Sequence, residues 1–274
     1  MKRRATVPAR INIIGEHTDY GGGLALPFAI DQKLVLEVNF DSNEYLGNST
    51  AIELWKAAGG PPALLNVQSN IPIGKGMSSS AALCVAISMC VTGQERTLAT
   101  CLLAQKIEHE ILGTKCGLLD QMAVVFAKKN HASLIDFGNN SIEHIKLVDS
   151  WKFKLVDSGV HRNLAETDYS LNIDKRSVHV IEESNRVLLA RQASAMELGD
   201  LLNQSHESLR KLGVSLPIID EAVKQLQETD GVHGARMMGG GFGGMILVLV
   251  DDAGVLPEIP IASSSSSAVL EEEF

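Results

Sequence analysis

The stretch PIGKGMSSSAA at residues 72–82 joins a glycine-containing turn to a run of small apolar residues. The apolar composition of residues 79–92 predicts a buried helix. Glycines let the backbone turn tightly and bring N–H groups close to a ligand, and the serines that follow can cap the helix and offer hydroxyl groups. Because a helix N-terminus carries partial positive charge, this stretch favours a bound phosphate. A capped helix after a simple turn is the alternative that the residues leave open.

A second polar stretch, RINIIGEHTDY at residues 10–20, runs from a predicted strand over 11–14 into a loop rich in hydrogen-bonding groups. Glu16, His17 and Asp19 suit a polyhydroxylated ligand, since each carboxylate can accept two hydroxyl groups. The same three side chains could also ligate a cation, although their spacing fits no standard zinc pattern. A solvated charged turn is the third interpretation.

The third stretch, GGGFGG at residues 239–244, contains the spacing GxGxxG. A dinucleotide-binding fingerprint requires that spacing after a strand and at the start of a helix. Here the glycines precede MILVLV at residues 245–250, which is typical of a buried strand. We therefore expect a tight turn, or a loop whose backbone approaches a bound ligand.

The length of 274 residues favours two domains. Periodicity predicts a strand over 24–40 and helices over 97–112, 165–193, 195–211 and 218–228, with a further helix that starts near Asp120. The breaker Gly59-Gly60-Pro61-Pro62 indicates irregular structure over 41–70. Five serines at 263–267 and three glutamates at 271–273 predict a frayed, solvated end.

Composition excludes several classes of partner. The chain has 24 basic and 33 acidic residues, a net charge of −9, and 4% aromatic residues. This balance disfavours electrostatic binding to nucleic acid or to a membrane surface, and no apolar run is long enough to span a membrane. The four cysteines lack CxxC spacing, so we expect a cytoplasmic protein, and we expect a monomer.

Taken together, the motifs resemble the GHMP kinase superfamily, and within it the galactokinase family. The resemblance implies an α+β fold with two domains and an active site in the cleft between them. Residues 1–150 would form an N-terminal domain similar to the S5 domain 2-like fold, and residues 151–274 a ferredoxin-like C-terminal domain. The matching stretches are 8–29, 72–82, 108–109, 116–121, 164–169 and 234–244.

The resemblance also implies a reaction: ATP phosphorylates α-D-galactose at its C1 hydroxyl and gives galactose 1-phosphate and ADP. Two alternatives stay open. One is a kinase for N-acetylgalactosamine or a related sugar, and the other is a sensor of galactose and ATP without catalysis.

Residue roles follow from the matching positions. Asp120 matches the catalytic carboxylate and Arg10 the active-site arginine, which would keep Asp120 ionised and offset charge on the phosphoryl group. Ser80 and Glu108 match the Mg²⁺ ligands, and hard oxygen atoms suit that ion. The implied sugar contacts are Glu16, His17, Asp19, Gly117 and Tyr169, and the implied ATP-phosphate contacts are Gly74, Gly76, Ser78, Ser79 and Ser80. Lys75 is unusual at its position, where it would either contact a phosphate or point to solvent.

Overall fold

The structure is a computed structural model that describes residues 1–160 and 173–273. The helices are α1 (Ser49–Ala57), α2 (Ser79–Thr92), α3 (Leu98–Leu112), α4 (Leu119–Val125), α5 (Ile173–Ala190), α6 (Ala195–Leu212) and α7 (Pro217–Gln227). The strands are β1 (Lys2–Asn12), β2 (Leu24–Ala25), β3 (Pro27–Asn39), β4 (Leu64–Ser69), β5 (His131–Asp136), β6 (Ser141–Lys146), β7 (Lys152–Asp157), β8 (Val232–Met237), β9 (Met245–Val250) and β10 (Val269–Glu273).

One four-stranded antiparallel sheet has the order β10-β1-β3-β4, with three strands from the first half of the chain and β10 from its C-terminal end. The register between β1 and β3 shifts at Pro8 and Ala9, where the proline has no N–H to donate to the ladder. Every residue of β1 from Val7 to Asn12 is buried. The end of β1 therefore places Arg10 inside the protein, next to the loop that follows.

Helix α2 packs against β1 and α3. Its residues from Ala81 to Cys90 are almost all buried, with apolar side chains around the whole circumference. The buried helix predicted over 79–92 is thus confirmed, and its first turn follows the glycine–serine stretch.

The second half of the chain builds a sheet with the order β7-β9-β8. Central strand β9 is the apolar run that directly follows the glycines at 239–244, as expected. Helix α6 begins with a capping box formed by Ser194 and Glu197 and packs on β8. The predicted helix over 165–193 is described only as α5, because residues 161–172 lie outside the described part of the chain.

Three expectations about local structure are wrong. Residues 41–70 contain α1 and β4 on either side of the Gly-Pro breaker. Strand β1 starts at Lys2, well before the apolar run at 11–14. The C-terminal end is not frayed: β10 pairs with β1, and Arg3 forms an ion pair with Glu272 at 2.7 Å.

The charge pattern explains the last difference. Lys2, Arg3 and Arg4 lie directly opposite the acidic residues of β10 (Glu273, Glu272 and Glu271). Cross-strand pairs of opposite charge stabilise an antiparallel sheet. The final strand therefore belongs to the sheet of the first half of the chain. Within the described residues, no helix is both long and apolar enough to cross a membrane.

Candidate active site

A cavity of about 910 Å³ opens where three loops meet. We call them the signature loop (13–23), the glycine–serine loop (72–78) and the glycine-rich loop (239–244). Tyr169 lies outside the described residues. All the other predicted site residues line this one cavity: Arg10, Glu16, His17, Asp19, Gly74, Gly76, Ser78, Ser79, Ser80, Glu108, Gly117 and Asp120.

The buried guanidinium of Arg10 joins two of the walls. Its Nε and Nη2 donate to Oδ1 of Asp120 at 2.9 and 2.6 Å, and its Nη1 donates to the carbonyl oxygen of Gly76 at 2.6 Å. Both contacts with Asp120 end on Oδ1, so Arg10 does not engage Oδ2. The side chain of Asp120 is 27% exposed. A carboxylate oxygen is therefore available beside the glycine–serine loop.

Glu16 connects the signature loop to the glycine-rich loop. Its Oε1 accepts a hydrogen bond from the N–H of Gly239 at 2.7 Å and lies 3.4 Å from Nη2 of Arg236. Burial raises the pKa of Glu16, but the charges of Arg236 and Arg10 and the Gly239 hydrogen bond outweigh this effect, so the pKa is lowered overall. Glu16 therefore links two loops of the site by a hydrogen bond and also lines the cavity.

Arg236 is fully buried and ties strand β8 to the start of the signature loop. It donates to the carbonyl oxygens of Asn12 and Ile13, the latter at 2.8 Å. Sequence reasoning missed this role, although Arg236 stands just before the third glycine stretch. An arginine between Ala235 and Met237 in a strand was the available signal.

Asp19 lies against the start of α4. Its Oδ2 accepts a hydrogen bond from the N–H of Leu119 at 3.3 Å, and a Cβ on Gly117 would stand 2.1 Å from the same oxygen. Gly117 is therefore required for this carboxylate to sit where it does. Burial raises the pKa of Asp19 to about 6, and the negative charges of Asp120 and Glu16 add to the effect.

The glycine–serine loop leads into α2 through Ser78, which has a left-handed backbone (φ 64°). The expectation that this serine caps the helix is wrong, because its side chain makes no capping hydrogen bond. Among the described residues, the buried Oγ of Ser78 has no hydrogen-bond partner. A buried hydroxyl without a partner costs free energy, so an external oxygen atom at this helix N-terminus would satisfy it.

Lys75 does not point to solvent, because its side chain is only 12% exposed. Its Nζ forms an ion pair with Asp157 at the end of β7, at 2.7 Å, and its carbonyl oxygen accepts from the N–H of Met245 at 3.0 Å. A Cβ on Gly244 would come within 2.8 Å of that carbonyl oxygen. The glycine–serine loop is thus fastened from behind to the sheet of the second half.

Glu108 on α3 and Ser80 on α2 meet at the far side of the cavity. The hydroxyl of Ser80 donates to Oε1 of Glu108 at 2.7 Å, and the amide of Gln121 donates to Oε2 at 2.9 Å. Burial and the nearby negative charge of Asp120 together raise the pKa of Glu108 to about 7, against the lowering effect of the hydrogen bonds from Ser80 and Gln121. Two hard oxygen donors beside an uncompensated carboxylate suit a divalent cation. In the described chain, no three His, Cys, Asp or Glu side chains cluster as a metal site.

One end of the cavity is apolar, and sequence reasoning assigned no residue to it. The side chains there come from β3, α1, β4, the glycine–serine loop and α2, and include Leu34, Ala51, Val67, Ile73 and Leu83. Ile73 is 84% exposed although it lines the cavity, so its side chain is accessible to a ligand there. The pattern could not be found because α1 and β4 lie in the stretch that we expected to be irregular.

Comparisons with known proteins agree along the chain. Residues 2–40 match the galactokinase galactose-binding signature, residues 45–128 the N-terminal domain of GHMP kinases, and residues 187–259 their C-terminal domain. A galactokinase from Thermotoga maritima is 34% identical over 90% of this chain and 89% of its own length. A galactokinase from Chloroflexus aggregans is 29% identical over 91% of this chain and 84% of its own length.

Solved structures share the fold. The crystal structure of Lactococcus lactis galactokinase complexed with galactose superposes with a TM-score of 0.84 at 22% identity, covering 98% of this chain and 95% of the other. The Methanococcus jannaschii mevalonate kinase superposes with a TM-score of 0.73 at 20% identity, covering 96% and 98%. The expected α+β fold with GHMP kinase N- and C-terminal domains is confirmed.

The raised pKa of Glu108 leads to a pH-dependent stability. Between the ordinary pKa of 4.5 and the folded value of about 7, folding takes up a proton at Glu108, so this residue destabilises the ligand-free protein as pH rises. Glu108→Gln removes the titration, and a flipped Gln121 amide can accept from the new side chain. From pH 5 to pH 8, the unfolding free energy of the variant relative to wild type should rise by on the order of 3 kcal/mol.

Thermal melts of both proteins across this pH range measure the difference. Glu110→Gln is the matched control, because Glu110 lies on the same helix and is 50% exposed. A stability difference between Glu108→Gln and wild type that stays constant from pH 5 to pH 8 would contradict the assignment.

Proposed function

Because the chain belongs to the galactokinase family of the GHMP kinases, we propose that it transfers the γ-phosphoryl group of ATP to the C1 hydroxyl of α-D-galactose. The observation that carries the proposal is the position of Asp120. This carboxylate stands between the signature loop and the glycine–serine loop, and Arg10 holds it by two hydrogen bonds. The sugar would bind on one side of Asp120 and the ATP phosphates on the other.

The signature loop supplies the proposed sugar contacts. His17 and Asp19 line the cavity near Asp120, and Gly117 keeps the space beside Asp19 open. Carboxylate and imidazole groups that face a cavity can bind several hydroxyl groups of one sugar. Glu16 and Tyr169 complete the proposed set, the latter on the resemblance of residues 164–169 alone.

The transfer step uses few groups. The C1 oxygen attacks the γ-phosphorus, the bond from that phosphorus to the β–γ bridging oxygen breaks, and ADP leaves. The hydroxyl proton passes to Asp120, and we assign it to Oδ2 because Arg10 occupies Oδ1. The guanidinium of Arg10 offsets negative charge on the group in transfer, which is the main requirement of phosphoryl transfer.

The glycine–serine loop would hold the phosphates. The N–H groups at the start of α2 point out of the helix end, and the Ser78 hydroxyl lacks a partner among the described residues. Both observations suit phosphate oxygens. Gly74, Gly76, Ser79 and Ser80 belong to the same proposed cradle.

Mg²⁺ would be held by Ser80 and Glu108. Their oxygens lie 2.7 Å apart at the edge of the cavity, and the buried charge of Glu108 beside Asp120 calls for a cation. When bound, the ion would neutralise phosphate charge.

The apolar end of the cavity would hold the adenine. Leu34, Val67 and Leu83 offer apolar contact, and the exposed side chain of Ile73 also lines the cavity. We also propose a cytoplasmic monomer with domains over 1–150 and 151–274, apart from β10, which pairs with β1 of the first domain. The four free cysteine thiols support a reducing compartment.

The first test is ADP release in the presence of Mg²⁺ and ATP. The acceptors are galactose, N-acetylgalactosamine, glucose, mevalonate and homoserine, each over a range of concentrations. We expect turnover on galactose and a much lower kcat/KM on the other four. Higher kcat/KM on N-acetylgalactosamine would assign the alternative sugar, and galactose binding without ADP release would identify a sensor.

Asp120→Asn tests the proton acceptor. The change keeps the size of the side chain and, through Oδ1, both hydrogen bonds from Arg10, but it replaces the basic oxygen Oδ2 by an NH2 group, so kcat should fall at least roughly a hundredfold. The dissociation constant for galactose should change by less than about threefold. Asp41→Asn is the control, because Asp41 is 67% exposed and pairs only with the chain N-terminus in the described structure. Near-normal turnover of Asp120→Asn would remove Asp120 from the step.

A further inference from the structure

The signature loop is held by helix α5, whose contacting side chains lie 160 to 168 residues further along the chain. Side chains from one face of α5 make hydrogen bonds to main-chain atoms of the loop or of Leu24, the residue that follows it. Main-chain bonds of this kind fix where a loop lies, whatever its own side chains are. None of the α5 side chains that make these bonds lines the cavity.

Glu183 is the centre of this contact and is fully buried. Its Oε1 accepts from the N–H of Gly15 at 3.0 Å and from the hydroxyl of Ser205 on α6 at 2.6 Å. Its Oε2 accepts from Nε of Arg186 at 2.7 Å. Both oxygens of the carboxylate are therefore in use, and a buried charge is compensated by a cation and two neutral donors.

Two other side chains of α5, those of His179 and Ser184, bind main-chain atoms of Glu16 and Leu24. One ring nitrogen of His179, Nε2, lies 2.9 Å from the carbonyl oxygen of Glu16, and the other lies 2.8 Å from the Ser208 hydroxyl on α6. Since a carbonyl oxygen only accepts, Nε2 carries a proton and donates it to Glu16. The hydroxyl of Ser184 accepts from the N–H of Leu24 at 3.1 Å.

We propose that Glu183, with His179 and Ser184, is a positioning residue that sets the affinity for the sugar by fixing the main chain of the signature loop. The inference rests on the proposed function, because it takes this loop as the sugar-binding wall. Glu16 follows directly after the anchored Gly15, and Asp19 stands four residues on. A shift of the loop would thus move both carboxylates while the glycine–serine loop stayed in place.

Glu183→Gln tests the proposal with little change in volume. An amide has one acceptor oxygen where the carboxylate has two, so the variant weakens either the hydrogen bond from Arg186 or the one from Gly15, both of which only donate, whereas the Ser205 hydroxyl can turn to accept from the amide. A hydrogen bond to a buried charged group is worth enough to change an equilibrium about tenfold. We expect KM for galactose to rise roughly tenfold, and KM for ATP to change by less than about twofold.

Glu182→Gln is the matched control. It makes the same chemical change one residue away, and Glu182 also approaches Arg186, at 3.9 Å, but its side chain is 57% exposed. Among the described contacts it makes none with the loop. Its kinetic constants should equal those of wild type. Equal increases in both KM values for Glu183→Gln, or no increase for galactose, would overturn the proposal.

Hydrogen exchange of the ligand-free proteins provides a readout that needs no activity. Amides of residues 13–23 should exchange about tenfold faster in Glu183→Gln than in wild type or Glu182→Gln, with amides of 72–78 unchanged. Ser184→Ala, which buries no new charge, should show the same pattern more weakly and covers the case in which Glu183→Gln does not fold. Wild-type protein without galactose turnover would refute the proposed function alone, whereas unchanged exchange at 13–23 would refute the positioning role alone.

Discussion

One buried guanidinium determines the geometry of the whole site. Arg10 lies near the end of the central strand β1. Its side chain binds Asp120 on α4 and the main chain of the glycine–serine loop at Gly76. A buried arginine must satisfy its donors inside the protein, so these three elements are held at hydrogen-bond distance. The carboxylate that we assign to the proton and the loop that we assign to the phosphates are thereby set side by side.

The other contacts extend this arrangement to the second half of the chain. Arg236 and the N–H of Gly239 fasten Glu16, while Lys75 fastens the glycine–serine loop to Asp157. The signature loop and the glycine–serine loop are therefore both held in place by elements that follow residue 150. Arg10 compensates the charge of Asp120, and Arg236 compensates that of Glu16. Glu108 has a raised pKa and no ion pair among the described residues, so a cation there would complete the site.

Sequence patterns predicted the elements whose structure depends on residues close together in the chain. The glycine and serine stretches, helix α2 and the strand after the third glycine stretch were predictable because composition and period specify them. The edge strand β10 was not, because its three glutamates after a run of serines resemble a solvated end, and it is the pairing of these glutamates with Lys2, Arg3 and Arg4 that stabilises the strand. Contacts such as Lys75–Asp157 and Gly15–Glu183 join residues far apart in sequence, so no local pattern carries them.

The central claim is that Arg10 and Asp120 act as one unit in phosphoryl transfer. A double-mutant cycle tests it most directly, with kcat measured for wild type, Arg10→Gln, Asp120→Asn and the double variant. If the residues act together, the double variant will lose little more activity than the more damaged single variant. Losses that multiply would contradict the account, because they would show that each residue contributes without the other.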